Sequence, residues 1–318
     1  TNMKTGDTSR KRDEDLRMNS MKKLDQLSTT VLKNALRFTG KVQVVSPEKK
    51  NLADYADYEA PAEHQPGVLI ASAHDSKYVA CFDPLDGSGN ADAAICTGTI
   101  FGIFENNQYN ETDGLEQQTT TTATTTTSSL EQSALESVLQ PGNSLKAAGY
   151  CLYSSATILV LSLGDGTHAF TLDPQLNEFV LTHTHMMIPQ KGNVYSCNEA
   201  NALGWTKPLQ RYVNHLKEER YALRYVGSMV GDIHRTLLYG GIFMYPISTP
   251  HHPKGNLQLL YKCAPMGYLV QQAGGKCTTN GFENLLDVRP THVHERSPCF
   301  IGSPDNIDEL QSYLPPPL

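Results

Sequence analysis

The sequence predicts a mixed α/β chain in which two sheets are layered with helices. Three observations predict it. Apolar runs with strand periodicity recur from residue 42 to residue 302, amphipathic helix patterns interrupt them, and the two kinds of element mix without strict alternation. With 318 residues, 39% of them hydrophobic, the chain can bury a core as one large domain or two closely packed ones.

Taken in order, residues 7–18 are densely charged and read as an exposed lead-in. Asn19 or Ser20 caps a helix whose apolar positions are Met21, Leu24, Leu27, Val31, Leu32 and Leu36, ended by Gly40. Asp25 lies off that stripe, where a solvated helix charge is the plain expectation. Residues 42–45 form a short strand before Ser46-Pro47-Glu48, and polar residues 49–76 read as an irregular surface excursion. A buried strand at 77–81 and a core strand at 95–104 follow. Residues 119–129, almost all Thr, cannot build a core and read as a loose loop. Beyond Pro141-Gly142, β-rich runs at 150–163, 167–172, 178–182 and 193–197 suggest a second sheet. Residues 205–219 form an amphipathic helix. Ser228 caps another that runs to Tyr239, with a strand at 242–245 behind it. Pro265 opens a helix stopped by Gly274-Gly275, residues 299–302 make the last strand, and Ser303-Pro304 opens a helix that stops at Pro315.

Composition excludes several partners. A net charge of -7 with no basic tract argues against nucleic acid. No apolar run approaches the ~20 residues of a membrane span. The seven cysteines are dispersed and never spaced Cys-x-x-Cys, as expected for buried thiols of a reducing compartment. The His pairs 183/185, 251/252 and 292/294 lack a supporting Cys or acidic cluster and read as surface features rather than zinc ligands. Asp232-Ile233-His234-Arg235 reads as packing and interface on a helix rather than as an acid–base pair. The start, Thr1-Asn2-Met3-Lys4, is no signal peptide, and without an initiator Met an upstream segment is expected to have been removed, with any targeting signal it held.

The chemistry concentrates in Phe82-Asp83-Pro84-Leu85-Asp86-Gly87-Ser88-Gly89-Asn90. Two carboxylates three residues apart sit where a strand ends, and a Gly-Ser-Gly turn follows that frees backbone N–H groups. Hard cations such as Mg²⁺ take one or two carboxylates plus phosphate oxygens, and amides at a turn or helix start suit the phosphate itself. The plainer alternative is an Asx/Pro turn closing the strand.

Asp83-Pro84-Leu85-Asp86-Gly87-Ser88 is the signature of the metal-dependent, lithium-sensitive phosphatases. Together with residues 77–88, 98–103, 147–150, 195–199, 224–236, 239–246 and 272–275, it makes the chain similar to fructose-1,6-bisphosphatases, in their plastid-like branch. The resemblance implies a five-layer α-β-α-β-α sandwich of the α/β (α+β) class. It divides the chain into a metal and catalytic-motif half (1–145), without the N-terminal AMP-type helices, and a sugar-phosphate half (146–318). It implies a homotetramer or homodimer, or a hetero-oligomer with an active paralogue, in the cytoplasm or a plastid. The implied reaction is Mg²⁺- or Mn²⁺-dependent hydrolysis of the 1-phosphate of fructose 1,6-bisphosphate, a step of gluconeogenesis. Glu105 stands where the family has an arginine, so AMP inhibition is not expected. The Thr tract holds no cysteine, so neither is thioredoxin-type switching.

By the same resemblance, Asp25 and Glu48 serve the attacking water. Asp83, Asp86, Glu48 and the Leu85 carbonyl hold metal. Asp86, Gly87, Ser88 and Met229 contact the substrate, and Asn198, Arg224 (from a neighbouring subunit), Tyr225 and Tyr245 surround the 6-phosphate. The departures are equally specific. Pro47 and Lys262 replace metal-ligating glutamates. Asn256 and Gln258 replace a lysine and an arginine that hold sugar and 1-phosphate, Asn201 replaces a tyrosine, and Gly89 a serine. Lys262 is therefore expected to stand in for a metal ion between Asp83 and Asp86, with hydrolysis severely reduced or lost. The alternative is an active phosphatase with an altered site, using Glu59 or Glu63 as a replacement ligand, or with another substrate such as sedoheptulose 1,7-bisphosphate or an inositol phosphate.

Overall fold

The computed structural model of the protein describes residues 23–36, 38–39, 42–46, 68–70, 76–107, 137–248 and 254–315. The charged stretch 7–18, the Thr tract, Pro47, Glu48, Glu59 and Glu63 lie outside them. The first described element is helix α1, residues 23–36. Its burial departs from the expected pattern. Leu24, Leu27 and Val31 are 40%, 61% and 58% exposed, whereas Asp25 and Lys33 are buried. Asp25 is thus no solvated helix charge. Leu24, Leu27 and Val31 of the expected stripe face outward, while Leu32 and Leu36 are half-buried, so part of the helix's apolar side is left for another surface.

Eight strands form the larger sheet. They are β1 (Val42–Ser46), β2 (Val68–Ile70), β3 (Tyr78–Asp86), β4 (Thr97–Glu105), β5 (Ala147–Tyr153), β6 (Thr157–Ser162), β7 (His168–Asp173) and β8 (Glu178–His183). Their spatial order is β2-β1-β3-β4-β5-β6-β7-β8, antiparallel throughout except where β1 runs parallel to β3. Two expectations are corrected here. The 49–76 excursion contains β2, whose three apolar residues are too few to show a period. The runs from residue 150 to 182 do not begin a second sheet. Each pairs antiparallel with its predecessor and extends the first one, because alternation reports a strand but not the sheet it joins.

The second sheet starts only at β9 (Val194–Ser196). After helix α2 (Lys207–Glu218) come β10 (Ala222–Leu223), helix α3 (Met229–Tyr239) and β11 (Ile242–Tyr245). A two-residue strand β12 (Leu257–Gln258), helix α4 (Ala264–Gln272), β13 (Lys276–Thr278), β14 (Arg296–Ser297), β15 (Cys299–Gly302) and helix α5 (Pro304–Tyr313) complete the chain. The order in this sheet is β10-β9-β11-β15-β13, and β12 pairs with β14 apart from it. Helices α3 and α4 touch strands of both sheets, and α5 lies against β13 and β15 and touches α2. The described layers thus run sheet, helices, sheet, helices, an α/β sandwich. The main core fills the space between the sheets. A second cluster, with Trp205, Tyr212, Leu216, Met244, Phe300 and Ile307, seals the second sheet under α2 and α5. No described helix is long and apolar enough to cross a membrane. All seven cysteines are free; five are buried, while Cys96 and Cys151 are only partly so.

Helix α3 carries a titratable group into the layer between the sheets. Tyr150 of β5 and His234 meet at 2.7 Å, hydroxyl to Nδ1. Burial, assisted by His183, lowers the His234 pKa to about 4. A depressed histidine pKa means that the unfolded chain binds the proton first. Its contribution is full above pH ~6.5 and is lost as pH falls toward 4, amounting to about 3 kcal/mol. Urea unfolding at pH 7 and pH 4.5 checks this: His234→Gln should lose visibly less stability than the native chain on acidification.

A candidate active site closed by a lysine

The acidic motif does not follow β3 but forms its last stretch of pleat. Ladder pairing runs to Asp83 opposite Ile100, skips, and resumes at Asp86 opposite Gly98. Pro84, which cannot donate to a ladder, sits in that bulge. The Thr99 hydroxyl of the neighbouring strand donates to the Pro84 carbonyl at 2.9 Å and meets the Tyr153 hydroxyl at 2.7 Å, pinning the bulge from the side. The irregularity places both carboxylates inside the protein. Asp83 is 0% and Asp86 3% exposed.

Gly87 follows with φ +72°, and a Cβ there would meet the Ser228 Cβ at 2.7 Å, so both conformation and space require glycine. Residues Ser88–Ala93 then wind into a 3-10 helix, with Ser88 buried and Gly89 exposed on it. Of the turn or helix start expected after the motif, the structure has the helix, a short one.

Helix α3 reaches the same point from the other sheet. Ser228 is its N-cap, yet its hydroxyl makes no capping bond within the helix. It donates to Asp86 Oδ2 at 3.0 Å, and the Val230 N–H donates to the same oxygen at 3.0 Å. Asp86 therefore caps α3 from a strand 142 residues earlier in the chain. A carboxylate suits the positive end of a helix, and two donors fix its plane. Asp232 holds the loop before the cap, accepting the Val226 and Gly227 N–H groups and pairing with Arg235 at 2.8 Å. This agrees with the packing role expected for the 232–235 stretch.

The remaining oxygens face a cation. Lys262 Nζ lies 2.8 Å from Asp83 Oδ2 and 2.9 Å from Asp86 Oδ1. It projects from a single π turn, Leu259–Cys263, which opens α4. Leu259, Leu260, Tyr261 and Cys263 are each at most 2% exposed, so apolar anchoring fixes the turn and aims the lysine. Burial alone would depress the lysine. Attraction from Asp83 and Asp86 outweighs it and holds the ammonium well above its usual pKa. The expected Lys262 bridge is formed.

The fit of a divalent ion follows from this donor set. Among the described residues no three His, Cys, Asp or Glu side chains converge as a metal would require. Mg²⁺ needs oxygens at about 2.1 Å in near-octahedral array. Here the carboxylates are drawn onto an ammonium that fills the space between them. Asp83, Asp86 and Lys262 as arranged do not fit the metal.

The other expected residues separate into groups. Asn198, Asn201 and Tyr245 line one small cavity with Trp205, Met244 and Pro246. Asn198 caps the following 3-10 helix, accepting the Ala200 N–H. Asn256 is buried between Tyr245 and Arg296, and Gln258 pairs with Arg296 across the β12–β14 ladder. Met229 is buried in the main core, while Tyr225 is half-buried and Arg224 exposed, its guanidinium donating to the Leu223 carbonyl. Leu85 is buried between the two aspartates in sequence. Sequence reasoning missed Ser228 as a partner of Asp86, Thr99 as the pin of the bulge, and Arg296. Ser228 was legible only as a helix cap, and the other two carry no local signal.

Comparison with known proteins agrees with this architecture. Residues 12–184 match the fructose-1-6-bisphosphatase N-terminal domain, and residues 188–315 match its C-terminal domain. The chain is 43% identical over 298 residues to the chloroplastic fructose-1,6-bisphosphatase 1 of Arabidopsis thaliana, covering 92% of this chain and 66% of that protein. It is 42% identical over 305 residues to the cytosolic fructose-1,6-bisphosphatase of Brassica napus, covering 94% and 79%. The chain thus spans about two thirds of the length of the chloroplastic relative. The crystal structure of Leishmania major fructose-1,6-bisphosphatase in holo form superimposes with a TM-score of 0.75 at 36% identity, covering 92% of this chain and 81% of that one. The chain belongs to the fructose-1,6-bisphosphatase family.

Proposed function

We propose that this family member binds a sugar phosphate but has severely reduced or lost hydrolysis of the 1-phosphate of fructose 1,6-bisphosphate. One observation carries the reading: the Lys262 ammonium sits between Asp83 and Asp86 at 2.8 and 2.9 Å. Exchanging a carboxylate for an ammonium changes the local charge by two units. At ~4 Å and an effective dielectric near 20, each unit-charge pair is worth about 4 kcal/mol, enough to oppose a divalent ion strongly. An ammonium balances the aspartates, but it offers no open coordination position and activates no water. Neutral Asn256 and Gln258 add to the deficit, since a charge-assisted phosphate contact is worth about 1.5–3 kcal/mol.

The family's divalent-metal chemistry, Mg²⁺ or Mn²⁺, is thereby assigned to its relatives rather than to this site. The outward Leu24, Leu27 and Val31 of α1 support assembly with other subunits, as a homotetramer, a homodimer or a hetero-oligomer with an active paralogue. Relatives named chloroplastic and cytosolic support either compartment. Phosphate release from fructose 1,6-bisphosphate with Mg²⁺ or Mn²⁺ tests the reading. The expected rate lies far below the ~10 s⁻¹ median of enzymes, and turnover near that median would refute it.

A further inference from the structure

We propose that a recess at one end of the second sheet is a binding site for an uncharged aromatic small molecule. Its lining residues include neither Asp83, Asp86 nor Lys262, so it stands whether or not hydrolysis has been lost.

Five segments form its walls: the start of α2, the residues after β11, the turn after β13, the entry to β15 and the end of α5. They surround 460 Å³, within the range of about 300–1,000 Å³ for small-molecule pockets. The sequence makes the shape rigid. Pro208, Pro246, Pro298 and Pro315 line it, and each fixes its own φ. Leu209 and Phe300, both 4% exposed, belong to the core cluster under α2 and α5, so part of the lining is the edge of a packed core. The turn after β13 is tied by its own side chains. Asn280 Oδ1 accepts the Phe282 and Glu283 N–H groups at 3.0 and 2.9 Å, and the Gly281 N–H donates to the Thr278 hydroxyl at 2.9 Å. Walls held in this way have little freedom left to lose when a ligand enters.

The lining decides the ligand. None of its described residues is charged, so an ionic ligand would give up hydration without gaining a partner. Proline, leucine and phenylalanine side chains match the faces of a flat ring. Two polar groups at the wall are uncommitted. Thr206 is the N-cap of α2, yet its hydroxyl makes no capping bond and has no other partner among the described residues. The Asn280 amide nitrogen is likewise unbonded among them, because only the oxygen of that side chain holds the turn. A hydroxyl and an amide N–H suit a ring that carries a hydrogen-bond acceptor. A recess of this size bounded by five segments takes a compact molecule, whereas a bound strand or helix needs a continuous groove.

Titration of the full chain with 2-naphthamide, 2-naphthoate and 2-naphthylmethylammonium tests the proposal, read by calorimetry and by methyl NMR of Leu209, Ile247 and Leu314. The three probes share a ring system and differ in charge. The amide is expected to bind with a Kd of about 1 mM or lower, the scale for a probe of this size. Both ions should bind about tenfold or more weakly than the amide. Asn280→Asp keeps the oxygen that holds the turn and removes the donor, and should weaken the amide by about three- to tenfold. Ile247→Trp fills the recess from a wall position that is 38% exposed, and should abolish binding with the melting temperature unchanged. Phe282→Trp serves where melting shows that variant unfolded. No binding of the amide, equal affinity for either ion, or a filled variant that binds as the native chain does would overturn the proposal. Methyl signals of the free chain that move on dilution would assign the recess to contact between copies and overturn it as well.

Discussion

Lys262→Met is expected to lower the free energy of unfolding by about 3–5 kcal/mol at pH 7, a loss on the scale of truncating a large core side chain. Methionine keeps the stem and its packing, so the loss isolates the charge. Removing the ammonium takes the shared cation away from two carboxylates that are 0% and 3% exposed. Asp86 retains the Ser228 hydroxyl and the Val230 N–H on its other oxygen. The direction with pH follows. In the native chain, the Lys262 pKa is raised on folding, so its contribution is complete below the ordinary lysine value of ~10.4 and is lost only above it. Urea unfolding at pH 5, 7 and 9 reads all of this. A loss under about 1 kcal/mol at pH 7 would show that the bridge contributes no more than a surface ion pair.

This site was readable in the sequence because its parts are local and charged. Asp83 and Asp86 stand three residues apart behind a strand, and Lys262 announces itself by occupying an acid's place in a familiar run. What the sequence could not show were couplings between segments distant in the chain. Ser228 looked like a helix cap, and its hydroxyl does sit at a helix start, but it turns to a carboxylate of the other sheet. Arg296 carries no signal in the sequence, and only the pairing of β14 with β12 brings it beside Gln258. The sheets were misassigned for a related reason. Strands β5–β8 alternate as any half-buried strand does, and only the antiparallel succession from β4 places them on the first sheet. On α1, periodicity found the helix but only part of its buried face, since Leu32 and Leu36 are half-buried while Asp25 and Lys33 are inside and Leu27 and Val31 are out. A hydrophobic stripe says that a face will be covered, and nothing in one chain says by what.

Reversing the charge at the bridge is expected to open the site to a divalent ion. The double variant Lys262→Glu, Pro47→Glu is expected to take up Mn²⁺ and to raise phosphate release from fructose 1,6-bisphosphate by on the order of 10²–10³-fold, the scale of restoring one electrostatic element of a reaction site. The carboxylate introduced in place of the Lys262 ammonium would face Asp83 and Asp86 from the same π turn, so three carboxylates would converge where two now hold a cation. Without metal they repel. The variant should therefore melt below the native chain in EDTA and recover with Mn²⁺, a linkage the native chain lacks because its own cation is covalently attached. Lys262→Glu alone should show the metal-dependent melting with little turnover, because position 47 then still lacks its acid. Calorimetric Mn²⁺ titration, melting with and without the ion, and phosphate release separate these outcomes. If the double variant neither binds Mn²⁺ nor gains turnover, the proposal that Lys262 takes the place of a metal ion is wrong.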